Sequence, residues 1–129
     1  MVLVDSSVWV DFFNGIASDE VEQLDALLGV EPVAIGDFIL TEVLQGFRSD
    51  SDYYSASELL SSLTQYDLLG RDLAIKAAQN YRRLRARGVT VRKTVDTIIA
   101  TFCIDRGIPL LYSDRDFDPF VKHLALLRA

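Results

Sequence analysis

Short apolar runs alternate with amphipathic stretches along the chain, and this alternation predicts strands that alternate with helices. A helix repeats its apolar positions every three to four residues, whereas a buried strand is a short apolar run bounded by turn residues. The runs predict strands at Val2–Val4, Val33–Ile35, Tyr66–Leu69 and Ile108–Tyr112, with a last edge strand at Leu124–Leu127.

Helical patterns fill the segments between these strands. Ser18 and Thr94 are expected to cap helix N-termini with their hydroxyls, and Gly107 is expected just beyond a helix C-terminus. The predicted helices are Ser7–Phe13 (ended by Asn14 and Gly15), a helix from Ser18 through Leu28, Phe38–Phe47, Ser51–Leu63, a stripe from Leu73 to Leu84 that stops at Gly88, a helix from Thr94 to Gly107, and a short one at Phe117–Lys122.

Alternating strands and helices imply a parallel sheet of about five strands between two helical layers, which is a three-layer α/β fold. The chain has 129 residues and no internal repeat or Pro/Gly-rich linker. We therefore expect one domain over residues 1–129. In such sheets, ligands bind beyond the carboxyl ends of the strands.

Composition narrows the class of protein. Half of the residues are hydrophobic and a quarter are charged, which is typical of a folded globular domain. Apolar runs such as Ile108–Tyr112 are far shorter than the roughly 18 residues of a membrane span. Met1–Asp5 contains no basic residue, so we expect no signal peptide. Cys103 is the single cysteine; it excludes an internal disulfide and favours a cytoplasmic protein with Cys103 in the core.

Charge is distributed unevenly. The net charge of −6 argues against a nucleic-acid partner. Between Ser18 and Asp67, however, eleven residues are acidic and only Arg48 is basic, whereas Leu73–Val95 contains seven basic residues and no acidic one. The basic stretch is either a solvated helix face or a cationic patch that can meet phosphates. Within this stretch, Arg92 and Lys93 lie closest in sequence to the acidic residue Asp96, so we expect these two, before the others, to contact the phosphates of a nucleic acid.

Four carboxylates stand where strand ends or apolar helices place them. Asp5 follows the first strand directly and Asp114 follows the strand Ile108–Tyr112 by two residues, while Glu42 and Asp96 lie within apolar helical segments. Each one alone could be a helix cap or a surface residue. Together they predict a cluster of like charges that must bind protons or recruit a cation. Oxygen-only ligands favour Mg²⁺ or Mn²⁺, and such a site is suited to attack on a phosphodiester.

These blocks resemble a known family. Leu3-Val4-Asp5-Ser6-Ser7-Val8-Trp9, Thr41-Glu42-Val43, Asp96-Thr97-Ile98-Ile99-Ala100 and Ser113-Asp114-Arg115-Asp116-Phe117 occur in the order and at the intervals of the PIN domain, and are similar to those of VapC-like toxins. The resemblance runs from Val2 to Phe120.

The resemblance implies a five-stranded parallel sheet and a Mg²⁺- or Mn²⁺-dependent endoribonuclease that forms homodimers and is blocked by a small antitoxin protein. It assigns Asp5, Glu42, Asp96 and Asp114 as the acidic quartet. Asp116 is a further metal ligand of lower rank, because its alternation with Asp114 could turn it away. Ser6 and Ser113 match polar positions that flank the site, and Asp11 and Asp118 are read as surface residues.

Two other functions are compatible with parts of this sequence. A phosphoacceptor receiver domain has this length and fold class, but Asp5 is followed by serine instead of a second acid, and Ser113-Asp114 stands where a lysine is required. A catalytically silent PIN-like module that binds RNA or protein stays open, although the intact acidic set favours an enzyme. His123 is the only histidine, so no histidine-based triad or zinc site is expected; we place it on the surface of the last helix.

Overall fold

The central sheet has four parallel strands. In the computed structural model, which describes residues 1–129, these are β1 (Val2–Val4), β2 (Val33–Gly36), β3 (Thr64–Tyr66) and β4 (Leu110–Leu111). Their order is β3-β2-β1-β4, and all pairs are parallel. Every residue of β1, β2 and β4 is buried, as expected when helices cover both faces. The predicted α/β fold with a parallel sheet is confirmed.

A single bridge takes the place of the expected fifth strand. The backbone N–H of Leu110 donates to the carbonyl of Leu127 at 2.9 Å, and that of Ala129 donates to the carbonyl of Leu110 at 3.0 Å. The predicted strand Leu124–Leu127 starts too early, because the last helix continues through Leu124 and Ala125 then turns with a positive φ of 65°. The sheet therefore has four strands and a rudimentary fifth.

Seven helices form two groups. The first group contains α1 (Ser6–Phe13), α2 (Asp19–Leu27), α3 (Asp37–Leu44) and α4 (Asp50–Ser61). The second group contains α5 (Arg71–Ala86), α6 (Thr94–Arg106) and α7 (Asp118–Leu124). A 3-10 turn at Arg115–Phe117 precedes α7. Contacts link α1 to α2 and α3, and α5 to α6 and α7. The chain adds β2 and β3 on one side of β1 and then returns to add β4 on the other side. Because such connections are right-handed, the two groups of helices cover opposite faces of the sheet.

The boundaries of the third strand and of α6 also differ from the prediction. The third strand is Thr64–Tyr66 instead of Tyr66–Leu69, because the chain leaves the sheet and buries Leu68. The Leu68 N–H donates to Asp37 Oδ1 at 3.1 Å, and a Cβ at Gly36 would overlap the Leu68 side chain. Thr94 is the first residue of α6 and not its cap: the cap is Lys93, whose carbonyl accepts the N–H of Asp96 at 3.2 Å.

One continuous core of 28 buried residues lies between the layers. Trp9 is completely buried and stacks on Phe13 with 5.9 Å between ring centroids. Cys103 is buried and unpaired, which confirms its predicted place in the core. No helix of the chain combines the length and apolar character needed to cross a bilayer.

Candidate active site

The ends of two neighbouring strands bring Asp5 and Asp114 to one edge of the sheet. Val4 is paired in register with Leu111. Asp5 follows β1 and caps α1, and Asp114 follows β4 by three residues and caps the 3-10 turn. Each cap carboxylate accepts a backbone N–H two residues further on. Both residues therefore lie at the predicted strand ends, and these hydrogen bonds fix the direction of their side chains.

A cleft of about 450 Å³ lies at this edge. Besides Asp5 and Asp114, α3 contributes Glu42 and α6 contributes Asp96. The cleft is lined by Asp5, Ser6, Ser7, Val10, Asp11, Glu42, Lys93, Asp96, Ser113 and Asp114. All four members of the acidic quartet and both flanking serines meet here, although residues far apart in sequence supply them.

Ser7 holds the Asp5 carboxylate and was not singled out by the sequence. Its hydroxyl and its backbone N–H both donate to Asp5 Oδ2, at 2.6 and 3.1 Å. The same hydroxyl accepts the N–H of Ser113 at 3.2 Å, so Ser7 joins the ends of β1 and β4. Burial raises the pKa of Asp5, and the Ser7 hydrogen bonds offset only part of that rise.

Asp96 is a second buried carboxylate of the cleft with a raised pKa. Only 6% of its surface is exposed, and its Oδ2 is buried without a hydrogen-bond partner. Burial raises its pKa to about 7 against the attraction of Lys93, and the nearby charges of Asp5 and Asp114 add to the rise. A buried polar atom without a partner is costly, so this oxygen is available to a cation or a proton.

Asp114 shows the opposite behaviour. Burial alone would raise its pKa, but the N–H of Asp116 and the ammonium of Lys93 outweigh burial, so the pKa of Asp114 is lowered. The Asp116 N–H lies 2.9 Å from Oδ1, and Lys93 Nζ lies 3.2 Å from Oδ2. Asp114 is therefore held in its ionised form.

The Asp116 carboxylate turns toward those of Asp96 and Asp114 instead of away from them. The expected alternation with Asp114 applies to a strand, whereas these residues enter a 3-10 turn. Carboxylate oxygens of Asp96, Asp114 and Asp116 lie within 4.8 Å of one another. The Asp116 carboxylate accepts hydrogen bonds from Arg92 Nη2 at 2.9 and 3.1 Å.

The donor set fits a hard divalent cation. All three groups are carboxylates, which are the ligands that Mg²⁺ and Mn²⁺ prefer, and Asp96 Oδ2 is an unsatisfied buried oxygen among them. Asp5 and Glu42 lie outside this group of three but border the same cleft.

The remaining polar residues surround this centre. Ser6 Oγ donates weakly to Glu42 Oε1 at 3.4 Å, and burial, followed by the charge of Asp5, raises the pKa of Glu42. Ser113 Oγ is buried without a partner. Asp11, which we interpreted as a surface residue, is half-buried and lines the cleft. It lies one helical turn after Ser7 on α1, a spacing that indicates a shared face.

Only two residues of the basic stretch reach the acidic cluster. Arg92 and Lys93 do so through ion pairs. Lys76 pairs with Asp105, and Arg87 contacts His123 Nδ1 at 3.2 Å. That histidine is half-buried, unlike the exposed residue that we predicted.

The chain matches the family model described as PIN domain over residues 2–121. It is 32% identical over 127 residues to a VapC ribonuclease of Mycobacterium bovis, covering 95% of this chain and 92% of that relative. Ribonuclease VapC11 of Mycobacterium tuberculosis matches with the same identity and coverage.

Solved structures share the fold. VapBC2 from Rickettsia felis, crystallised with a DNA fragment of its promoter, has a TM-score of 0.77 and 18% identity, covering 100% of this chain and 98% of that one. A toxin–antitoxin complex from Klebsiella pneumoniae has a TM-score of 0.72 and 20% identity, covering 98% and 96%.

Proposed function

The chain belongs to the PIN-domain family, and from that premise we propose that it is a divalent-metal-dependent endoribonuclease that acts as the toxin of a toxin–antitoxin pair. The observation that carries the proposal is the buried, unpartnered Oδ2 of Asp96, whose carboxylate lies with those of Asp114 and Asp116. Metal dependence is the part that this geometry supports; ribonuclease activity is supported by the VapC relatives.

Asp96, Asp114 and Asp116 would hold Mg²⁺ or Mn²⁺, with Asp5 beside them. A bound ion of this kind lowers the pKa of water and neutralises charge on a leaving oxygen. Asp5, fixed by Ser7, would orient the attacking water. Glu42 has a raised pKa, which makes its carboxylate a stronger base. This carboxylate would accept the proton that the attacking water loses. Arg92 and Lys93, with exposed side chains at the cleft, would contact RNA phosphates.

The test is cleavage. RNA ends mapped on total cellular RNA after induction should show new sites for wild type and none for Asp96→Asn or Asp5→Asn, and EDTA should abolish cleavage in vitro. Wild-type protein that binds RNA but never cleaves it would favour the silent module instead.

Metal binding has its own readout. Millimolar Mg²⁺ or Mn²⁺ should raise the melting temperature, because the ion binds the folded site and relieves carboxylate repulsion, and Asp5→Asn should remove most of that rise. A wild-type melting temperature that neither ion changes would contradict the proposed metal site.

The proposed partners are RNA, a small antitoxin that blocks the cleft, and a second copy of the chain. The antitoxin is supported by relatives that were solved as toxin–antitoxin complexes. The homodimer is supported by an apolar groove of about 590 Å³ between α5 and α6, lined in part by Leu69, Ala74, Ala78, Tyr81 and Ile98. Sedimentation that shows only monomer at micromolar concentration would count against the dimer. A cytoplasmic location, which the unpaired Cys103 favours, belongs to the same proposal.

A further inference from the structure

Two basic side chains reach inward over the acidic cleft from the segment that joins α5 to α6. Arg92 and Lys93 are 76% and 60% exposed, whereas their partners Asp116 and Asp114 are only 21% and 24% exposed. The basic residues thus come from the solvent side and cover acids that are mostly buried.

These ion pairs use the oxygens that a metal would need. On Asp114, Oδ1 accepts the N–H of Asp116 and Oδ2 accepts the Lys93 ammonium. On Asp116, both oxygens accept from Arg92 Nη2. Asp96 Oδ2, by contrast, is buried without a hydrogen-bond partner. A cation that binds all three carboxylates would therefore contact at least one oxygen that Lys93 or Arg92 already holds, and its positive charge would repel that side chain.

We propose that Lys93 and Arg92 are displaceable counter-ions, which compete with the divalent cation for Asp114 and Asp116 and turn toward the solvent when that cation binds. This inference rests on the proposed function, because it takes the carboxylates to be the metal site. It adds that Lys93 and Arg92, once the divalent cation has displaced them, are free to contact RNA phosphates.

Charge and mobility favour the exchange. Two single positive charges leave and one double charge enters, so the net charge of the cleft is unchanged, whereas keeping all of them would place like charges side by side. Long basic side chains with exposed heads move without disturbing the backbone, and ion pairs as exposed as these contribute little stability. By linkage, metal binding and phosphate binding then strengthen each other.

Calorimetric titration with Mn²⁺ at fixed pH and ionic strength tests the competition. Lys93→Ala should bind Mn²⁺ more tightly than wild type by about two- to fivefold, which is the strength of an ordinary exposed ion pair. Lys122→Ala is the matched control, because it removes the same charge from an exposed site on α7 that forms no ion pair. Equal tightening in both variants would reduce the effect to net charge and overturn the proposal.

Nitrogen NMR of the lysine ammonium groups observes the release directly. The chain contains three lysines, Lys76, Lys93 and Lys122, so single substitutions assign every signal. Addition of Mg²⁺ should shift the Lys93 signal and leave those of Lys76 and Lys122 in place. A Lys93 signal that stays unchanged while the site is saturated would overturn the proposal.

The outcomes separate this inference from the proposed function. If wild type binds Mn²⁺ and Asp96→Asn does not, the metal site stands; unchanged or weaker binding by Lys93→Ala would then overturn only the competition. If neither wild type nor Lys93→Ala binds Mn²⁺, both fail. Binding by Lys93→Ala alone would be competition in its strongest form.

Discussion

The acidic cleft has an inner and an outer wall, whose carboxylates differ in burial and in ion pairing. On the inner wall, Asp5 and Asp96 are 3% and 6% exposed, form no ion pair, and have raised pKa values. On the outer wall, Asp114 and Asp116 are about a quarter exposed and each pairs with a basic side chain. Burial therefore raises the pKa of the two inner carboxylates, whereas the Asp116 N–H and the Lys93 ammonium outweigh burial at Asp114 and lower its pKa.

The difference gives each wall its own response to a cation. The inner wall has an unsatisfied oxygen that gains a ligand, whereas the outer wall must exchange one positive partner for another. Replacing a carboxylate by its amide should therefore change stability in opposite directions on the two walls.

Asp96→Asn should stabilise the metal-free protein at pH 8. The pKa of Asp96 is about 7 in the folded state against an ordinary value of 3.8, so the folded protein keeps a proton that the unfolded chain has already lost. The stability that this group contributes is fully present below pH 3.8 and is lost as the pH rises toward 7. The difference between the two pKa values corresponds to at most about 4 kcal/mol. Urea unfolding in EDTA at pH 4 and pH 8 should show the gain only at pH 8.

Asp114→Asn is the control on the opposite wall. Its pKa lies below the ordinary 3.8, so its contribution to stability is present above that value and is lost as pH falls. The substitution should therefore destabilise the protein at pH 8, by up to about 1 kcal/mol for a pair that is partly exposed. If both variants changed stability in the same direction, the two walls would not differ as described.

Ser7→Ala should destabilise the inner wall by about 1–3 kcal/mol, because it removes the hydroxyl that donates to the buried Asp5 carboxylate and leaves the Ser113 N–H without its hydrogen-bond acceptor. Thermal unfolding at pH 7 measures the loss, and Ser7→Thr, which keeps the hydroxyl, should recover most of it. Equal losses in both variants would assign the effect to packing.

The double variant Arg92→Ala with Lys93→Ala should have the smallest effect on stability but should flatten the salt dependence of RNA binding. Each lost phosphate contact lowers the slope of log K against log salt by about 0.7 for a single strand. Stopped-flow fluorescence titration with a single-stranded RNA oligonucleotide in saturating Mg²⁺, read before cleavage, measures the slope. Arg71→Ala with Lys122→Ala removes equal charge elsewhere, and an equally flat slope in that control would show that RNA enters by another route.

Local patterns in the sequence predicted the fold and most of the cleft. Asp5 and Asp114 were placed at one sheet edge because the carboxyl ends of parallel strands meet there, and the register of Val4 with Leu111 agrees. Glu42 and Asp96 were found because a charge within an apolar helix requires a reason. The position of β3 was predicted wrongly because a local pattern shows only that Leu68 is apolar, which is typical of a buried strand residue. In the structure Leu68 lies beyond β3, and its side chain is buried next to Gly36.

Other features depended on distances that no pattern encodes. The turn after Asp114 brings Asp116 to Arg92, 24 residues away, and Ser7 reaches Ser113 across 106 residues. The sequence by itself determined which strands and helices form and which acids lie at the sheet edge, since periodicity is a property of neighbouring residues. Only the tertiary structure decided which acids are buried and which are paired, because pKa values and ion pairs depend on burial and on separations of a few ångströms between residues that are distant in sequence.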